Sequence, residues 1–169
     1  MRGGGVLLSI RDFLVLLLLI CQELISVLLG RAGPQLSLPS RDLLCAPVTD
    51  RDIENALASI DDSKAPGVDG FNAVFFKRAW SAVKKEVYAA VHHFFHSSHL
   101  LPQFNCTSVT LVPKLDNPTY AKDFRPIACC TMVYKIIAKI LASRLALVVG
   151  EVVDDAQAGF IPGKHIADK

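Results

Sequence analysis

Apolar positions recur at three or four residues over most of this chain and at two over one short stretch, which separates helix from strand. Ile53, Ala56, Leu57 and Ile60 share one face of a segment near 50–60, with Thr49 or Asp50 placed to cap it. Phe75, Ala79, Val83, Val87, Val91 and Phe94 or Phe95 continue the helical period over 72–99, until Leu101-Pro102 stops it. Tyr134, Ile137, Ile140, Leu141, Leu145 and Val148 form a third stripe over 131–150. Between them, Thr107, Val109, Thr110 and Leu111 suit a strand, Asp116-Asn117-Pro118 a turn, and Phe124 to Cys129 a second extended piece. The pattern predicts a helix-dominated α+β fold with one short β-hairpin around 107–129.

The amino-terminal third is different. Phe13 to Cys21 is unbroken apolar sequence, and a helix is expected near 7–29. A membrane span needs about 20 apolar residues, whereas Arg11-Asp12 precede this run and Gln22-Glu23 interrupt it. Arg2 and the small residues Gly30 and Ala32 have the layout of a secretory signal, but the Gln-Glu pair and a second apolar patch fit that poorly. Residues 1–30 are therefore a hydrophobic segment open to three readings: a signal or anchor, a buried or partner-facing helix, or a stretch added by an upstream start codon. Three prolines and no sustained period mark 31–47 as a linker, with the main domain at 48–169.

Composition narrows the chemistry only partly. A net charge of +2 over 169 residues does not announce a nucleic-acid binder, so any such role depends on where the cations sit. Five cysteines without C-x-x-C spacing suggest a reducing compartment, and so an intracellular protein, nuclear or cytoplasmic. His92 and His96 stand at i, i+4, but no carboxylate or cysteine joins them at ligand spacing. The stretch "KAPGVDGF", Lys64 to Phe71, carries two turn glycines, Gly67 and Gly70, that allow a close backbone approach to a ligand or simply connect two helices. Lys114 and Arg125 fall near the two arms of the hairpin. A guanidinium grips phosphate oxygens in pairs and an ammonium adds a mobile charge, so such a pair suits a triphosphate or a nucleic-acid backbone, unless both are merely solvated. Lys135, Lys139 and Arg144 project from the third helix as a further basic surface.

The order "KAPGVDGF", an apolar strand ending "LVPK", "DFRPIACC…YKIIAKILASRL" and "QAGFIPGKHIAD" resembles the amino-terminal part of the reverse transcriptase of non-LTR retrotransposons, most nearly the plant lineage. The resemblance covers about Val48 to Asp168. It implies part of the fingers and the edge of the palm of a right-hand polymerase. Lys114 and Arg125 would then contact the triphosphate of the incoming nucleotide, and Lys64, Gly67 and Gly70 would lie in a fingers loop near template or nucleotide. Gln157 and Phe160 match the Gln-x-x-Phe block beside the template strand, and Lys164 stands where the family usually has Arg. Lys169 stands where an Asn is usual.

The family's catalytic carboxylates, which hold two Mg²⁺ ions at the primer 3′-hydroxyl, come from palm strands beyond the last block seen here. Asp154 and Asp155 precede the Gln-x-x-Phe block, so they are expected in an exposed turn rather than in the metal site. No catalytic or metal-binding residue is expected in this chain, which would be inactive alone, whereas the intact enzyme would copy an RNA template from deoxynucleoside triphosphates on a template-primer. Two other readings stay open: a non-enzymatic nucleic-acid-binding remnant using Lys135, Lys139, Arg144 and Lys164, and a membrane-tethered helical protein built on the first residues. A hairpin without a palm sheet beside it is also expected to expose apolar surface.

Overall fold

The computed structural model describes residues 36–152, and the expected helix near 7–29 lies outside them. In chain order the elements are α1 (Leu38–Cys45), α2 (Asp50–Ser59), α3 (Ala73–Arg78), α4 (Trp80–Ser97), β1 (Thr107–Pro113), a single 3-10 turn (Ala121–Asp123), β2 (Phe124–Cys130) and α5 (Met132–Val152). Two compact units emerge. One is Val48–Ile137, and the other combines the described residues up to Pro47 with those described from Ala138 onward.

The first unit begins with a fully capped helix. Thr49 Oγ1 accepts from the Asp52 amide at 3.2 Å, while the Asp52 carboxylate accepts from the Thr49 amide at 2.9 Å. That box points Ile53, Ala56 and Leu57 inward, where they are buried. α4 supplies Val87, Val91 and Phe94 to the same core, and the start of α5 adds Met132, Val133, Tyr134, Ile136 and Ile137. Helix 72–99 does not run unbroken. Ala79 leaves helical geometry at φ −88°, ψ 8°, closing α3 through its amide to the Phe75 carbonyl at 2.8 Å and opening α4 without a side-chain cap. At its far end α4 stops on Ser98, a non-glycine residue at φ 55° whose amide bonds Phe94 O at 2.8 Å.

β1 and β2 pair antiparallel from Thr107↔Cys130 to Pro113↔Phe124, the hairpin expected around 107–129. Among the described residues they are the only two strands of their sheet. All seven residues of β1 are exposed, and only Cys130 of β2 is buried.

In the second unit, the segment expected to be a linker holds a helix. Ser37 caps α1, its hydroxyl accepting from the Ser40 amide at 3.4 Å, and Pro39 sits in the first turn, where its missing N–H costs nothing. Two residues of α5 clamp both ends. The Glu151 carboxylate accepts from the Ser37 amide at 2.9 Å and from the Ser40 hydroxyl. The Arg144 guanidinium donates to the carbonyls of Leu44 at 3.2 Å, Ala46 at 2.5 Å and Pro47 at 3.1 Å. An anion therefore meets the positive end of the α1 dipole and a cation the negative end. Leu44 is buried here together with Ile140, Leu141 and Val148.

Candidate nucleotide and nucleic-acid site

The hairpin tip is built by Asp123. Its Oδ2 accepts from the amides of Thr119 at 3.1 Å and Tyr120 at 2.9 Å, and its own amide closes the turn on Tyr120 O at 2.9 Å. Lys122 lays its ammonium 5.3 Å from the Tyr120 ring centroid. The Lys114 amide then bonds Asp123 O at 2.7 Å, which carries the ladder one step past Pro113.

That extra step decides which way the two candidate cations point. Val112 is directly opposite Arg125, so the two share a face, and Lys114, two residues beyond Val112, has the same parity. Lys114 and Arg125 therefore occupy one face of the ribbon as diagonal neighbours. Arg125 is exposed and has no ion-pair partner among the described residues. Lys114 donates its Nζ to the carbonyl of Lys122 at 2.6 Å, which draws the ammonium toward the turn.

The "KAPGVDGF" loop is docked on the β2–α5 junction. A Cβ at Gly67 would lie 2.6 Å from Thr131 N and 2.8 Å from Cys130 C, so only glycine fits against that backbone. Lys135 donates its Nζ to Ala65 O, and Thr131 Oγ1 donates to Phe104 O at 2.9 Å. Gly70 adopts φ 75°, a conformation that favours glycine, with its amide on Gly67 O at 3.1 Å. Lys64 remains exposed on this loop, its amide bonded to Asp61 O at 3.2 Å. Beside it Phe71 stacks on Phe75 with centroids 4.4 Å apart, and both rings are exposed.

The basic surface expected on α5 is largely engaged. Lys135 and Arg144 both satisfy backbone carbonyls, and of the three only Lys139 is exposed. The helical period had shown these cations but not their acceptors, which lie 70 and about 100 positions away in sequence. Gln157, Phe160 and Lys164, like Asp154 and Asp155, lie outside the described residues.

Other polar clusters are structural. His92 Nε2 sits 2.7 Å from Asp50 Oδ1, which ties α4 to the start of α2. One turn along, Glu54 Oε1 accepts from Tyr88 OH at 2.5 Å and Trp80 Nε1 at 3.4 Å. The Tyr88 bond holds the Glu54 carboxyl below its usual range, and the same bond pushes the Tyr88 hydroxyl up to about 12. Burial likewise pushes Tyr134 up to about 12, and its hydroxyl has no hydrogen-bond partner among the described residues. No group of three or more His, Cys, Asp or Glu among those residues is arranged to hold a metal ion. The carboxylates present there do not fit a two-metal centre. None of the described helices is long and apolar enough to cross a membrane.

No protein-family model matches the chain. Over 135 residues, 80% of its length, it is 28% identical to the Transposon TX1 uncharacterized 149 kDa protein of Xenopus laevis. The matched region is 10% of that protein, so the chain corresponds to a small part of its relative. The likeness points to an origin in a transposable element.

Proposed function

We propose that this chain is the nucleotide-gripping fingers portion of a retroelement reverse transcriptase, an RNA-directed DNA polymerase. One observation carries the reading: Lys114 and Arg125, the two cations that match the family's pattern, fall on the same face of an exposed hairpin, with Asp123 shaping the turn between them. Such a combination suits a triphosphate, because a guanidinium takes two phosphate oxygens at once and an ammonium adds a mobile point charge. The similarity to a transposon protein supports the same origin. The docked loop that carries Lys64, Gly67 and Gly70 would border the template or nucleotide. In the intact family enzyme Mg²⁺ would supply the phosphoryl-transfer chemistry. The residues described here do not fit that ion, and their part is binding and orientation.

Isothermal titration of the 169-residue chain with a deoxynucleoside triphosphate tests this. Removing a charge-assisted contact costs about 1.5–3 kcal/mol, so Arg125→Ala and Lys114→Ala should each weaken binding roughly tenfold or more, with unchanged melting curves. Equal affinity in the double variant would sink the reading.

A further inference from the structure

β1 has one edge that no strand pairs with among the described residues. Its direction of bonding follows from two independent signs. The Lys114 amide bonds Asp123 O, which makes 114 and 123 a hydrogen-bonded pair, and such pairs alternate along an antiparallel ladder. Ser108, Thr110 and Val112 therefore turn their backbone groups toward β2, and Thr107, Val109 and Leu111 turn theirs outward. Both strand prolines agree. Pro113 and Pro126 each have outward parity, where a missing N–H costs the ladder nothing.

The two outer edges differ. Natural edges are protected by proline, charge or a bulge. β2 has Pro126 in the middle of its outer edge and Arg125 next to it, whereas β1 carries no charge and no proline before its last residue. Val109 and Leu111 are 62% and 61% exposed, and no other strand pairs with β1 among the described residues.

We infer that β1 forms an antiparallel, two-fold symmetric pair with β1 of a second copy, centred on Thr110. The sequence "TSVTLVP" suits this register. Val109 falls opposite Leu111 of the second copy, each exchanging both ladder bonds, while Ser108 meets Val112 and Thr107 meets Pro113. No like charges face each other, since Lys114 lies beyond the paired stretch. Val109 and Leu111 of both copies, with Pro126 and Ala128 behind them, join into one apolar face. Pro126 blunts the remaining edges, so the four-stranded sheet closes at the dimer instead of growing into a fibre.

Sedimentation of the full 169-residue chain at high micromolar concentration should show a dimer. Leu111→Lys alters only an exposed side chain, and Val109→Pro deletes an outward N–H while sparing the bonds to β2. Each should weaken association by roughly tenfold or more. Register is tested by cysteine trapping after Cys129→Ser, because Thr110 Oγ1 is only 3.9 Å from Cys129 Sγ. Thr110→Cys should cross-link to itself across the axis, where opposed Cα atoms of a non-hydrogen-bonded pair are about 4.5 Å apart. Val109→Cys should not, since equivalent copies are diagonal neighbours about 7–8 Å apart. A monomeric wild-type chain, an assembly indifferent to Leu111→Lys, or cross-linking as efficient through Val109→Cys would each overturn the proposal. Pairing of β1 with a strand supplied by a longer form of this protein would appear as the monomer result.

Discussion

Gly67 shows how one missing methyl group can hold two segments in register. The atoms that a Cβ would strike, Thr131 N, Cys130 C and Thr131 Cα, all belong to backbone that cannot rotate away. Gly67→Ala should therefore cost about 1–3 kcal/mol, the range for overpacking a fitted contact. Gly70→Ala meets open space and is opposed only by its positive φ, worth about 1–2 kcal/mol. Thermal melts check both. Lys135 separates the two variants further, because its bond to Ala65 spans the same junction that Gly67 touches and Gly70 does not. A Gly67→Ala chain should accordingly lose hydrogen-exchange protection at the start of α5, and a Gly70→Ala chain should keep it.

α1 depends on its clamp more than on its own sequence. Eight residues are too few for an isolated helix in water, and Leu44 is its only buried residue. Arg144→Ala removes donors to three carbonyls at the carboxyl end of α1. Hydrogen bonds from a charged group contribute about 1.5–3 kcal/mol, so the variant should fray 38–45 selectively, seen as faster amide exchange there with α2 unaffected. The same dependence explains why α1 was not legible in the sequence: its stabilising partners, Arg144 and Glu151, are more than 90 positions away, and its prolines read locally as linker. α2 and α4 were legible because their apolar faces and, for α2, the capping box are local. The hairpin was legible from β-branched residues on both sides of Asp116-Asn117-Pro118, although the docking of Gly67 against Thr131 left no local trace. For the candidate site, periodicity could show that Lys114 and Arg125 were near one another. Only the ladder showed that they share a face.

The stability of the whole chain should fall at both extremes of pH, for opposite reasons. The folded-state pKa of Glu54 lies below 4.5, chiefly because of the Tyr88 hydrogen bond. Its contribution is therefore present above that value and lost as pH falls through the folded pKa. Tyr88 is raised from 10 to about 12 by the same bond, so its contribution is full below pH 10 and disappears as pH rises through about 12. Tyr88→Phe should flatten both limbs of a plot of melting temperature against pH, and two unaltered limbs would refute the link. Asp61, held low by Ser63, and Glu151, held low by Ser40, add to the acid limb alone.

The clamp on α1 also bears on birth order at the ribosome. Leu44 and its guanidinium donor are separated by 100 positions, so α1 emerges long before the residue that ends it. Translation at about 5–20 residues per second leaves a gap of roughly 5–20 seconds during which α1 has no lasting structure. The Val48–Ile137 unit is synthesised within that interval and is complete at Ile137, seven positions before Arg144, so its core can form before the clamp exists. A chain released after residue 143 should accordingly be cleaved by protease within 38–45 but protected from α2 onward, whereas the full chain should be protected in both.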